Sequence, residues 1–164
     1  MRASNVLALS ALSTAAFAAP APAAQAGSSI NDPYYSWQVT DWSAGCASSG
    51  CFYDFNIAGS NYKTDSFDFP PFTAACSGAG VGAPFTPCAV NGPEGEPGNR
   101  GVVARLLPAE TGAGAHIEVS FEWVDLNQAN TYYNFTGDAI ASYNQFVGPL
   151  EAFTITPSSA FGVA

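Results

Sequence analysis

The residue type that most often exchanges protons near neutral pH occurs only once in this chain, as His116. A serine–histidine–acid triad needs one histidine, but no serine stands in the Gly-x-Ser-x-Gly pattern that marks hydrolase nucleophiles. His116 follows the glycine-containing stretch 112–114 and begins an alternating apolar segment. We therefore predict a surface histidine at the start of a strand, and no catalytic residues.

Thirteen acidic residues raise the possibility of glycoside hydrolysis, which uses two carboxyl groups about 5 to 9.5 Å apart. Glu118 and Glu122 share one face of a predicted strand, but four strand residues separate them by about 13 Å. We interpret this pair as the solvated face of a sheet. A hydrolase whose acids come from different strands remains open as a third hypothesis.

Two further patterns are weak signals for ligand binding. Glu94 and Glu96 could offer oxygen ligands to calcium, but they lack the dense acidic alternation of a calcium-binding loop. Residues 78–82 are rich in glycine but lack the lysine and the helix of a phosphate-binding loop. The sequence therefore predicts neither a metal nor a cofactor.

The first residues predict export from the cell. Arg2 precedes an apolar run at residues 6–18, which ends in the small-x-small cleavage pattern Ala16-Phe17-Ala18. The run is too short to cross a bilayer as a helix. We predict a signal peptide at 1–18, a flexible Ala/Pro-rich leader at 19–33 and an extracellular protein that does not span a membrane.

Export predicts that the four cysteines form two disulfides, for which three pairings exist. We favour Cys46–Cys51 and Cys76–Cys88, because each would pin a segment without a regular hydrogen-bond ladder; a crossed pairing stays possible. Zinc is the alternative, but the chain has no Cys-x-x-Cys and a single histidine.

Apolar residues alternate with polar ones along most of the remaining chain, which predicts half-buried strands. The clearest segments are 51–57, 117–123 and 152–156. Trp42 falls out of phase with Trp37 and Val39, which predicts a bulge. The segment 102–107 is continuously apolar except for Arg105, which favours a strand covered on both faces; 131–136 predicts another strand, and 139–146 a strand or a helical turn.

These patterns predict an all-β protein with a single antiparallel sandwich or barrel of seven to eight short strands. We place the domain at 34–158 and a C-terminal tail at 159–164. The Gly- and Pro-rich segment 70–98 reads as a surface excursion held by the second disulfide. The net charge of −9 at pH 7 excludes nucleic acid as a main partner.

Two surface features remain. Asn134-Phe135-Thr136 is the only N-glycosylation motif; an outward Asn134 requires that Tyr133 and Phe135 face inward. Abundant aromatic residues could form a sugar-binding platform, although core packing is the favoured role. The platform candidates are Tyr34, Tyr35, Phe52, Tyr132, Tyr133 and Tyr143.

One segment resembles a known family. Residues 37–46 read WQVTDWSAGC, and after four residues 51–57 read CFYDFNI. This pattern is similar to the opening of fungal Alt a 1-like proteins (the AA1-like domain), which are secreted allergens and plant-defence elicitors. The later pair Cys76 and Cys88 stands where members carry further cysteines, whereas the loop between Cys46 and Cys51 is shorter than in many members.

The resemblance implies a compact antiparallel β fold without established catalytic residues. It also implies an extracellular role: binding host plant proteins, eliciting defence or binding small molecules. Our first hypothesis is a secreted, non-enzymatic effector or elicitor that acts through its surface. The alternative is a cell-wall carbohydrate-binding protein that uses exposed aromatic side chains.

Overall fold

A computed structural model of the chain describes residues 35–63, 68–91, 98–127, 131–145 and 148–163. Within these ranges the regular structure consists of strands, and two antiparallel sheets pack together without closing into a barrel. The predicted all-β fold is therefore confirmed, in its sandwich form. The predicted signal peptide and leader lie outside the described residues, as do Tyr34, Glu94 and Glu96.

The strands in chain order are β1 (Trp37–Ala47), β2 (Gly50–Gly59), β3 (Tyr62–Lys63), β4 (Asp68–Phe69), β5 (Phe72–Ala79), β6 (Thr86–Pro87), β7 (Ala89–Asn91), β8 (Arg100–Leu107), β9 (Ala115–Val124), β10 (Tyr132–Ala141), β11 (Glu151–Ile155) and β12 (Pro157–Val163). Sheet 1 has the order β11-β1-β2-β5-β7, and sheet 2 has the order β12-β10-β9-β8-β6. In the described ranges, eight of the twelve strands are five residues long or more, whereas the sequence predicted seven to eight strands in all.

The core lies between the two sheets and is strongly aromatic. Trp37, Trp42, Phe55, Phe121 and Phe135 are almost fully buried. The rings of Phe72 in β5 and Phe121 in β9 stack across the sandwich with centroids 4.2 Å apart. Burial of such large side chains is the main favourable term in folding, at about 25 cal/mol per Å² of apolar surface.

The bulge predicted at Trp42 is confirmed. The register of β1 shifts between Thr40 and Ser43, and Asp41 has a φ of 55°. The extra residue turns Trp42 inward, where its indole N–H donates to the carbonyl oxygen of Ser142 at 2.8 Å. Asn144 also fixes the backbone of Trp42, because its Nδ2 donates to the Trp42 carbonyl oxygen at 2.8 Å.

Two segments depart from the strand predictions. In β8, Val102, Ala104 and Leu106 are buried while the alternate residues are only half-buried, so this strand is not covered on both faces. The two elements predicted at 131–136 and 139–146 are wrong for the described residues 131–145, because β10 runs unbroken from Tyr132 to Ala141. Its full-length pairing with β9 carries it through Gly137, whose missing side chain had interrupted the apolar pattern.

In the segment 70–98 the structure describes 70–91 and 98, and the predicted surface excursion is wrong there because this part contains the core strand β5. This strand pairs with β2 along its whole length and buries Phe72, Ala74 and Cys76. Its other inward residue is Gly78, beside which the ring of Tyr53 lies. Small inward side chains hid the alternation in the sequence.

The folded domain also extends past its predicted end at residue 158, into the predicted C-terminal tail. In β12, backbone pairing with Tyr132–Gly137 of β10 extends to Val163. Apart from Pro157, Phe161 and Val163, the residues of β12 are small or polar, so hydrophobic periodicity gave little sign of a strand. This segment forms a strand because its backbone hydrogen-bonds to β10.

Both disulfides have the favoured pairing. Cys46–Cys51 joins directly opposite residues of β1 and β2, so it closes a regular hairpin and not the irregular segment that we expected. Cys76–Cys88 ties β5 to the short segment between β6 and β7. With all four thiols oxidised, cysteine-bound zinc is excluded.

Candidate functional site

The two outward sheet faces differ in their chemistry. The outward side of sheet 1 carries two rows of uncharged side chains, and we call these two rows the neutral face. Register sets its side chains in two rows across the strands. The first row is Thr154, Gln38, Ala58, Thr73 and Asn91, and the second is Thr40, Asn56, Ala75 and Ala89. Neighbouring strands are about 4.8 Å apart and the rows about 6.8 Å apart, so these amides and hydroxyls form a regular array.

A groove of about 330 Å³ lies on the neutral face. Ala58 forms its floor, because its methyl group stands between the longer side chains of Gln38 and Thr73 in the same row. The groove is lined by Gln38, Thr40, Asn56, Ile57, Ala58, Thr73, Ala74 and Asn91. None of these described lining residues is charged.

The β1 bulge positions a carboxylate beside this groove. Asn56 donates from Nδ2 to Asp41 Oδ2 at 2.9 Å, and the Thr40 hydroxyl donates to the same oxygen at 3.5 Å. In the described part of the chain, Asp41 is the one non-glycine residue with positive φ. Such a conformation is uncommon outside glycine, and asparagine and aspartate tolerate it best. Asp41, Asn56 and Thr40 therefore form a fixed polar group next to the groove.

We call the outward side of sheet 2 the charged face. Arg105 on β8 pairs with Glu118 on β9 at 2.6 Å, and its guanidinium lies 4.2 Å from the centre of the Phe85 ring. His116 on β9 pairs with Asp138 on β10 at 2.7 Å. Asp138 stands directly opposite Glu118, so each carboxylate of this like-charged pair has its own basic partner.

The structure thus gives His116 a place on the charged face near the start of β9, as the sequence predicted. Glu118 and Glu122 also share this face. Register brings Asp138, an acid from another strand, closer to Glu118 than Glu122 is. On this open sheet surface Glu118 pairs with the Arg105 guanidinium, and Asp138 is hydrogen-bonded to the His116 ring.

The orientation predicted for the glycosylation motif is present. Phe135 is buried in the core, and Asn134 lies on the outward side of β10 opposite Glu122. Asn134 Oδ1 accepts hydrogen bonds from the hydroxyls of Ser120 at 2.8 Å and Thr136 at 3.3 Å. These two hydrogen bonds fix the orientation of the Asn134 side chain on the charged face.

The predicted aromatic platform is dispersed over the molecule. Tyr35 is buried; Tyr133 faces inward and stacks on Trp123 with centroids 5.4 Å apart. Tyr132 faces outward on sheet 2 beside Phe161, at 6.0 Å. Phe52 lies on the outward side of sheet 1, and Tyr143 is exposed after the end of β10.

The residues that carry the family resemblance lie in the core. Trp37, Val39, Trp42, Tyr53 and Phe55 of that segment are all buried. They hold β1 and β2 in the sandwich and leave outward positions to other residues. These buried residues therefore inform the fold, and a functional surface must be sought among the outward residues of β1, β2 and the strands beside them.

A second depression, of about 600 Å³, lies at one end of the sandwich. It is bounded by the β8–β9 turn, the end of β10 and the start of β11. Ile140, 59% exposed, lines it together with Glu151, whose carboxylate accepts weakly from the Ser142 N–H at 3.4 Å. It lacks the regular hydrogen-bonding array of the neutral face.

Gln38, Thr40, Asp41, Asn56, Thr73 and Asn91, which make up the candidate site, were not singled out in the sequence. Alternation placed Asn56 on a polar face, but nothing local indicated that Thr73 and Asn91 lie beside it. Comparisons with family models, with curated proteins and with solved structures find no match. Among the described residues no helix is long and apolar enough to cross a membrane.

Proposed function

We propose that this protein is a secreted, non-enzymatic effector or elicitor of the Alt a 1-like kind. It acts by surface recognition of host plant extracellular proteins or small ligands. The observation that carries the proposal is the pair of disulfides within a two-sheet sandwich, since such cross-links are typical of extracellular proteins. The hairpin β1–β2 that resembles the family supports the same proposal.

The contrast between the two outward faces supports a role in recognition. The core and the disulfides fix both sheets, so outward side chains are presented with little loss of conformational freedom on binding. On the charged face, cross-strand ion pairs such as Arg105–Glu118 offer both signs of charge to a protein partner. Charge complementarity of this kind favours specificity and association rate over raw affinity.

The experiment infiltrates plant leaves with purified, oxidised protein and captures apoplastic proteins on the same material. We expect a defence response and at least one specifically retained protein. A charge-reversed variant of the charged face, Arg105→Glu with Glu118→Arg, keeps the cross-strand pair but inverts its pattern and is expected to reduce capture. An Asp54→Asn variant on the other sheet is the matched control. Silence in both assays would overturn the proposal.

The alternative of a carbohydrate-binding protein that uses exposed aromatic side chains has less support. Its candidate rings lie on different faces, and Tyr35 is inside the core. A platform of aromatic rings needs several rings on one surface, whereas in the described part of the chain the candidate that meets another ring on an outward face is Tyr132, beside Phe161. Unchanged retention of a Tyr132→Ala variant on chitin, glucan and cellulose columns would eliminate that alternative.

A further inference from the structure

The groove on the neutral face has the chemistry of a site for an uncharged polyhydroxyl ligand. We infer that it binds a short stretch of a neutral oligosaccharide. This inference goes beyond the proposed function, because such binding needs neither a host protein nor the scattered aromatic rings. The argument rests on three properties of the site: the free hydrogen-bonding groups of the groove, its uncharged lining and the Asp41 carboxylate fixed beside it.

The groove offers donors and acceptors that the fold does not use. Within the described part of the chain, the side-chain amides of Gln38 and Asn91 make no hydrogen bond. Thr73 donates its hydroxyl proton to the carbonyl oxygen of Asn91 at 2.6 Å, which leaves its oxygen lone pairs free to accept. A sugar hydroxyl both donates and accepts, so it matches amides and hydroxyls better than a purely anionic or cationic ligand does.

Charge and composition narrow the class of ligand. The described lining residues are uncharged, and the whole chain carries a net charge of −9, which disfavours anionic ligands. Protein interfaces concentrate Tyr, Trp, Met and Arg at their centres, and none of these residue types lines the groove. The volume of about 330 Å³ is at the small end of ligand sites, which fits a short stretch of a sugar chain.

Asp41 supplies the strongest acceptor beside the groove. Its backbone is held at a φ of 55°, and Asn56 Nδ2 fixes one carboxylate oxygen at 2.9 Å. This hydrogen bond also orients the other carboxylate oxygen, Oδ1, which does not take part in it. The carboxylate can accept from one hydroxyl while a neighbouring side-chain amide donates to the next hydroxyl, and adjacent hydroxyls are what a sugar ring presents. Uncommon backbone conformations of this kind cluster at binding sites.

The test is an NMR titration of the isotope-labelled, oxidised protein with cellohexaose, laminarihexaose, xylohexaose, mannohexaose and chitohexaose. We expect at least one of them to cause saturable shifts confined to the groove residues of β1, β2, β5 and β7. Each ligand is taken to about 10 mM, where a Kd of about 1 mM gives more than nine-tenths saturation. Absence of saturable shifts with all five ligands, or shifts on the charged face alone, would overturn the inference.

Matched variants separate the groove from the rest of the sheet. Ala58→Gln fills the floor of the groove, and Asp41→Asn removes the carboxylate while keeping a residue that tolerates positive φ. Each is expected to weaken binding at least tenfold. Ala79→Gln and Asp54→Asn, on the same outward face but outside the groove, are expected to change it less than twofold. Equal affinity in all four variants would refute the site.

These outcomes are independent of the proposed function. If the titration fails while leaves respond and a host protein is retained, the groove inference alone is wrong. If leaves stay silent and no protein is captured while a saccharide binds the groove, the effector proposal alone is wrong.

Discussion

At the residue scale, two buried tyrosines differ in what their hydroxyl groups meet. The Tyr53 hydroxyl donates to the carbonyl oxygen of Ala104 at 2.8 Å and so connects the two sheets. The Tyr35 hydroxyl is buried without a hydrogen-bond partner in the described structure, and the nearby Trp37 indole N–H does not reach it with suitable geometry. Burial raises the pKa of both phenols above their ordinary value of 10.0, and side-chain contacts with Trp37 and Thr86 respectively offset part of the rise.

The two tyrosines are therefore expected to respond differently to loss of the hydroxyl group. Tyr53→Phe leaves the Ala104 carbonyl without its donor and is expected to lower the free energy of unfolding by about 1 kcal/mol. Tyr35→Phe removes an unpaired buried polar group and is expected to leave stability unchanged or to increase it. Urea unfolding at pH 7 measures both, and a larger loss for Tyr35→Phe would contradict the assignment of partners.

The raised pKa values also predict a loss of stability in alkali. The folded protein holds both phenol protons more tightly than the unfolded chain does. The contribution of these two tyrosines to the free energy of unfolding is therefore constant below the unfolded pKa of about 10. This contribution falls as the pH rises above that value. Urea unfolding between about pH 9 and pH 11 is expected to show this fall, and a Tyr35→Phe, Tyr53→Phe double variant is expected to reduce it. An equally steep fall in the double variant would assign the effect to other groups.

Asn134 gives a prediction about modification. Its side chain lies on the outward side of β10, the orientation that attachment of a glycan requires. Expression in a eukaryotic secretory host is expected to give a product whose mass falls on treatment with an N-glycosidase. Thr136→Ala should abolish this shift and Thr136→Ser should preserve it, because the motif accepts either hydroxyl residue. A shift that persists in Thr136→Ala would place the glycan elsewhere.

At the scale of the strand, β5 shows how a glycine can be required inside a sheet. A Cβ on Gly78 would meet Tyr53 Cζ at 2.6 Å, and Tyr53 is held in place by its bond to Ala104. Intrinsic preference alone would favour alanine over glycine in a strand. The two effects have opposite signs, and a contact this short decides between them.

Gly78→Ala is accordingly expected to destabilise the protein by about 1 to 3 kcal/mol, the cost of overpacking a core. Gly98→Ala is the control, because a Cβ there has no neighbour within 4 Å and the residue has no positive φ. Thermal unfolding followed by near-UV circular dichroism measures both. A Gly78→Ala variant as stable as Gly98→Ala would mean that Tyr53 can move aside.

At the scale of the whole molecule, the chain crosses between the sheets along both flanks of the sandwich. On one flank β11 belongs to sheet 1 and β12 to sheet 2, with Thr156 between them. On the other flank β6 belongs to sheet 2 and β7 to sheet 1, and Cys88 is the residue between them. The backbone N–H of Cys88 donates to Val102 in sheet 2 at 2.9 Å, and its sulfur is bonded to Cys76 in sheet 1.

The two disulfides are therefore expected to differ in their contribution to stability. Cys76–Cys88 spans 12 residues and joins a sheet crossing to the core, whereas Cys46–Cys51 spans five within one hairpin. Loop-closure entropy alone gives about 3 kcal/mol for the longer loop and about 2 kcal/mol for the shorter one. Urea unfolding of the paired Cys→Ala variants is expected to show the larger loss for Cys76–Cys88. The reverse order would mean that the crossing is held by other contacts.

Much of the architecture could be predicted from the sequence, because the alternation of buried and exposed side chains is a local property of a strand. The segment 117–123 and the out-of-phase Trp42 were sufficient to predict β9 and the bulge in β1. Hydrophobic periodicity failed in β5, where the inward positions are partly Ala and Gly, and in β12, where neighbouring backbone does the ordering. Prediction of the disulfide pairing succeeded for Cys46 and Cys51, although the two cysteines turned out to be cross-strand neighbours.

In strands with large apolar side chains, such as β2 and β9, the sequence by itself determined which residues face inward, since chain geometry fixes the two-residue period wherever a strand forms. Only the tertiary structure decided which outward residues become neighbours. Gln38, Asn56, Thr73 and Asn91 are far apart in the chain and meet through the register of four strands. Register depends on pairing between distant segments, which no local pattern encodes.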